Sequence, residues 1–123
     1  MAKILLVDDE PDMLEVWMLF LRHSGHEVMK AEDGAEALDI AHEFLPDLIV
    51  LDLMMPTASG DMVLGIVRST PSLADTRVLV VSAHPKGAQL AENLNADAFL
   101  AKPVHLDQFQ AEVSRLLSNL QEQ

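Results

Sequence analysis

Apolar and polar positions alternate along this chain in blocks. Lys3-Ile4-Leu5-Leu6-Val7, Leu48-Ile49-Val50-Leu51 and Val78-Leu79-Val80-Val81 are short, almost wholly apolar runs bounded by polar or turn-forming residues. Such runs predict strands buried on both faces. Glu27-Val28-Met29-Lys30-Ala31 alternates more and predicts an outer strand, and Ala98-Phe99-Leu100-Ala101 predicts a last one. Between them the period lengthens to that of a helix. Pro11 suits the first helical position, and Met13, Val16, Trp17, Phe20 and Leu21 mark a core-facing stripe ending at Ser24-Gly25. A second helix is expected from about Ala35 to Leu45, with Leu38, Ala41 and Leu45 inward. After a loop over Thr57-Ala58-Ser59-Gly60, a third runs from about Asp61 to Ser69 through Val63, Ile66 and Val67. A short helix, roughly Lys86 to Leu94, reaches Asn95, which suits a left-handed C-terminal position. The last begins near Leu106 and carries Phe109, Val113, Leu116, Leu117 and Leu120.

Strand and helix thus alternate five times, which implies a parallel sheet covered by helices on both faces with right-handed crossovers. A flavodoxin-like doubly wound α/β sheet of order 2-1-3-4-5 puts its switch point between strands one and three, where ligands bind beyond the strand ends. Those two strands end in Asp8-Asp9-Glu10 and in Asp52. A carboxylate there is costly unless it is solvated, paired or bound to a cation.

Composition sharpens this picture. The 123 residues fit one domain, 1–123, and 50% hydrophobic against 4% aromatic content fits an aliphatic core of the parallel-sheet kind. Cysteine is absent, and neither a leader pattern nor a membrane-length apolar run occurs, so a soluble protein is expected, with the cytosol (a cytoplasmic location) as the default. Acidic residues number 20 against 8 basic ones, for a formal charge of −12. The basic residues are scattered singly, which argues against direct nucleic-acid binding.

Four strand ends together carry a resemblance: the acidic pair Asp8-Asp9, Asp52 with Met55-Pro56, Ser82-Ala83, and Lys102-Pro103. With these at the expected places, the chain resembles a response-regulator receiver domain of two-component signalling, of the chemotaxis-regulator type. The resemblance spans essentially the whole chain. It implies that Asp52 is the phosphoryl acceptor, forming an acyl phosphate. It also implies Mg²⁺, because clustered carboxylates repel one another and this cation bridges carboxylates to phosphate. Asp9 and Asp52 are then ligands, Asp8 a ligand directly or through water, and the Met54 backbone carbonyl completes the set. Lys102 would meet the phosphoryl oxygens, and Ser82 would offer a hydroxyl.

By the same resemblance, Ser82 and Phe99 form the conformational switch and the Lys102–Pro103 peptide bond is cis. Met54 and His84 flank the phosphoryl group and tune its lifetime. Met54 cannot orient water, so slow self-dephosphorylation is expected. The segment from Ser82 to Asn95 is short for the family, and Gly87 weakens its helix. The expected partner is a histidine kinase or histidine phosphotransfer protein. Leu14 and Met18, one turn apart and outside the stripe assigned to the core, are expected to form an exposed docking flank, with weak homodimerisation through it as the rival.

Two other classes fit less well. A Mg²⁺-dependent phosphatase using a strand-end Asp would place a second carboxylate two residues on, where this chain has Met54. A flavodoxin-like cofactor binder would want a Gly, Ser or Thr-rich loop after strand one, where Asp8-Asp9-Glu10 would repel phosphate. The chain reads as a stand-alone receiver, or equally as one domain of a longer response regulator or hybrid kinase.

Overall fold

The computed structural model describes residues 2–55 and 59–121, with side chains through 118. Pro56, Thr57 and Ala58, and the side chain of Leu120, lie outside the described residues. The apolar runs become β1 (Lys3–Val7), β3 (Leu48–Leu51) and β4 (Arg77–Ser82), flanked by β2 (Glu27–Ala31) and β5 (Ala98–Ala101). All pairs are parallel and the order is β2-β1-β3-β4-β5. The helices are α1 (Pro11–His23), α2 (Gly34–Phe44), α3 (Gly60–Ser69), α4 (Gly87–Asn93) and α5 (Leu106–Gln121). None of them is long and apolar enough to cross a membrane.

Register is fixed at both ends of the central strands. Before β3, the Asp47 amide donates to the Lys3 carbonyl (2.8 Å), the Asp47 carbonyl accepts from Arg77 (3.1 Å), and the Asp47 side chain accepts from the Lys3 amide (2.9 Å). Beyond the other end, the amide of Asp52 donates to the Val7 carbonyl (3.0 Å) and that of Asp8 to Ala31 (3.2 Å). Both aspartates therefore extend the ladder by one rung.

Because side chains alternate across a sheet, β1, β3 and β4 feed two cores. Ile4, Leu6, Val50, Leu79 and Val81 meet α1 and α5, where Trp17 stacks on Phe109 with ring centroids 4.4 Å apart. Leu5, Val7, Ile49, Leu51, Val78 and Val80 meet Ala37 and Ala41 of α2, Val63, Leu64 and Val67 of α3, and Ala91 of α4. Each large aliphatic side chain so covered contributes about 1.5–3 kcal/mol against exposure.

The phase of α1 differs from expectation. Leu14, Trp17, Met18 and Leu21 face the core, whereas Val16 and Leu19 are 57% and 74% exposed. Leu14 (0% exposed) and Met18 (8%) are therefore core residues and not a docking flank. The helix carries two overlapping apolar stripes, and contact with the sheet and α5 selects the one containing Leu14. Leu45 is likewise half exposed instead of inward. It ends α2 with φ 50°, because the following proline disfavours continued helix. In α3, Leu64 takes the core place expected of Ile66, which is partly exposed. Asn95 adopts the expected left-handed conformation, φ 62°.

Candidate functional site

The site grows from residues that leave the strands. Asp52 follows β3 and is buried; its Oδ1 accepts from the Met54 amide at 3.0 Å. Asp8 follows β1 and is also buried, with Oδ1 accepting from the Glu10 amide at 3.0 Å. Each carboxylate is thus held by the chain two residues on, as in an Asx turn. Asp9 and Glu10 are exposed. Oxygens of Asp8, Asp9, Glu10 and Asp52 all lie within 4.8 Å of one another.

Lys102, the first residue after β5, reaches into this group. Its Nζ donates to Asp8 Oδ2 (2.8 Å), Glu10 Oε1 (2.9 Å) and Asp52 Oδ2 (3.1 Å). Its own amide donates to the Ser82 carbonyl (3.0 Å), so β4 sets where it starts. Burial alone would lower the Lys102 pKa, but the hydrogen bonds it donates to Asp8, Glu10 and Asp52 together lift it above its ordinary value. Burial raises the Asp8 carboxyl above the usual range, and the Lys102 ammonium and Glu10 amide only partly offset this.

Ser82 is buried at the end of β4, and its Oγ accepts from the His84 amide (3.1 Å). His84 is half buried and lines a cleft of about 470 Å³ with Leu53, Met54, Met55, Ser59, Asp61 and Leu90. Met54 is half exposed on that cleft. Phe99 is half buried on the α4 side of the sheet. The Lys102–Pro103 bond is cis, as expected.

Two residues of the site carry roles that the sequence reading did not assign. Glu10 sits at the entry to α1, where it reads as a helix-end acid, yet its side chain is the third partner of Lys102. Gly60 opens α3 against the main chain of Asp52: a Cβ there would lie 2.2 Å from the Asp52 carbonyl oxygen and 2.5 Å from Leu53 Cα. Only glycine lets α3 start this close to the buried carboxylate.

The donor set is four carboxylates without histidine or cysteine, which suits a hard divalent cation and not zinc. The Lys102 ammonium already sits among the oxygens, an indication of how strongly this cluster attracts positive charge.

Comparison with known proteins agrees with the geometry. PrrA, a transcriptional regulatory protein of Mycobacterium tuberculosis, is 41% identical over 117 residues, covering 94% of this chain and 49% of that protein. The sensor histidine kinase TmoS of Ectopseudomonas mendocina is 35% identical over 94% of this chain but only 12% of its own length. The chain therefore spans about half, or far less, of the curated relatives it matches. Among solved structures, the response regulator TrrA of Thermotoga maritima, determined with Mg²⁺-BeF, superposes with a TM-score of 0.83 at 32% identity, covering 94% of this chain and 99% of that one. The model for the family described as response regulator receiver domain matches residues 4–114. Carrying that match on a five-stranded sheet of order 2-1-3-4-5 with an acidic crevice beside a half-buried lysine, the chain belongs to the response regulator receiver family of two-component signalling.

Proposed function

We propose that residues 1–123 act as one receiver module in which Asp52 accepts a phosphoryl group from a phosphohistidine of a histidine kinase or histidine phosphotransfer protein. The observation that carries this is the Asp52 carboxylate, buried at a strand end 3.1 Å from Lys102 and grouped with three further carboxylates. An Asp52 oxygen attacks phosphorus, the P–N bond to the donor imidazole breaks, and an acyl phosphate remains on Asp52. Asp9 and Asp52, with Asp8 directly or through water and the Met54 carbonyl, would hold Mg²⁺, which supplies charge neutralisation for the phosphoryl oxygens. The Mg²⁺-BeF complex of TrrA supports this assignment.

Lys102 turns its ammonium from the carboxylates toward the transferred group, and the Ser82 hydroxyl donates to it. Phe99 repacks as Ser82 moves, so the signal leaves through β5 and α4. Met54 and His84 face the product across their shared cleft. The apolar Met54 side chain cannot orient an attacking water, which favours a long-lived acyl phosphate. The donor approaches over α1, where Val16 and Leu19 are the outward apolar residues and a cleft of about 380 Å³ lies between Met13, Val16 and Leu106, beside Glu10.

Incubation with Mg²⁺ and acetyl phosphate tests the reading. Stoichiometric labelling of the wild type is expected, with none in Asp52→Asn and severely weakened Mg²⁺ binding in Asp9→Ala. Equal labelling of the same site region in Asp52→Asn would refute it.

A further inference from the structure

An ammonium has three N–H donors. In this protein Asp8, Glu10 and Asp52 take one each, so none points at an incoming phosphoryl group. If Lys102 is to meet that group, at least one contact must break. The three partners are not equivalent. Asp8 and Asp52 side chains are 2% and 5% exposed and are tied by Asx-type hydrogen bonds to the next turns. The Glu10 side chain is 56% exposed. Its backbone is anchored on both sides, the amide to Asp8 Oδ1 and the carbonyl to the Leu14 amide, so only the side chain is free to swing. Released, its carboxylate is solvated at once, whereas releasing Asp8 would strand a charge in the sheet.

We propose that Glu10 is a positioning residue that holds Lys102 in a resting arrangement, and that this contact is the one released when Asp52 is loaded. The proposal rests on Asp52 being the phosphoacceptor, and deepens that reading by giving the lysine a definite starting position. Glu10 does not touch the reacting atoms; it acts through Lys102. Because the contact is made at rest and lost during transfer, it slows loading. The hold depends on reach as well as charge, since the carboxylate must extend from the entry of α1 to 2.9 Å from Nζ.

Two substitutions separate reach from charge. Glu10→Gln keeps the length and removes the charge; Glu10→Asp keeps the charge and is one methylene short. Loading of Asp52 by acetyl phosphate at saturating Mg²⁺ should rise roughly two- to fivefold in both, the scale of one exposed ion-pair contact. In the metal-free proteins, ¹⁵N spectra of the Lys102 ammonium should show faster proton exchange in both variants than in the wild type. A role confined to ending α1 would alter thermal stability and leave the ammonium signal unmoved. Faster loading in Glu10→Gln alone would assign the effect to net pocket charge and overturn the hold. Unchanged ammonium exchange, or slower loading in Glu10→Asp, would overturn it as well. Failure of the wild type to label at Asp52 would instead refute the phosphoacceptor reading, and the exchange measurement would still decide the hold.

Discussion

Two cations organise opposite ends of this sheet, and they are bound in different ways. At the carboxyl ends of the strands, Lys102 meets three charged oxygens from three side chains. At the amino ends, Arg68 of α3 donates to the carbonyls of Asn95 (2.9 Å), Ala74 (3.2 Å) and Thr76 (2.6 Å) and to Asp97 Oδ2 (2.8 Å). That Asp97 oxygen also accepts from the Val78 amide at 2.7 Å, which joins the starts of β4 and β5 to α3. The arginine acceptors are mainly fixed backbone groups, and its planar fork matches several at once. A lysine is a point charge on a flexible stem, able to exchange partners without losing its charge. On the proposed function, one end stays and the other rearranges.

Reciprocal exchanges test that contrast. The largest effect is expected for Lys102→Arg: the fork should lock onto Asp8 and Asp52, and loading of Asp52 by acetyl phosphate should fall on the order of a hundredfold. Thermal stability should be retained, so a variant that loads normally would show that mobility at this position is unimportant. Next comes Arg68→Lys, which leaves carbonyls without donors and should cost about 1–3 kcal/mol in urea unfolding. Loading should be unchanged; loss of loading instead would mean the two ends are coupled.

The smallest effect concerns Asp8, whose carboxyl is held above its ordinary range by burial. Below the unfolded-state value both states are protonated and its burial costs nothing. As pH rises through the raised folded-state value, ionisation inside the site subtracts from stability. Asp8→Asn should therefore unfold at higher urea than the wild type at pH 7 without metal, and the gap should close on acidification. A gap that widens in acid would reverse the assignment.

Much of this was legible in the amino-acid order, for identifiable reasons. Apolar runs such as Leu48 to Leu51, too short for a helix and bounded by turn formers, read as strands covered on both sides, and the backbone of the residue that follows each is placed by the ladder. Asp52, Asp8 and Lys102 therefore came out where expected. The phase of α1 came out shifted: Trp17 and Leu21 are core as expected and Met13 and Phe20 pack at its edge, but Leu14 and Met18 take the place expected of Val16, and only packing against Phe109 and the sheet chooses. Glu10 was hidden because its partner lies 92 residues away, and a third acid in a row carries no mark of its own. Gly60 gives no signal either: its need arises from a main chain that approaches in space.

The shared rung of Val7, Leu51 and Val80 has a consequence for how this protein can vary through descent. Substitutions around the crevice alter charge or size one place at a time. A residue gained or lost within β1 or β3 does something else, because it turns every following side chain to the opposite face. Shortened by one, β1 would bring Asp9 to the rung of Asp8 and turn Asp8 into the place of Val7, among the apolar residues under α2 and α3. Lineages carrying this fold are thus freer to vary length in a turn such as Ser24-Gly25 than inside the strands that deliver the aspartates.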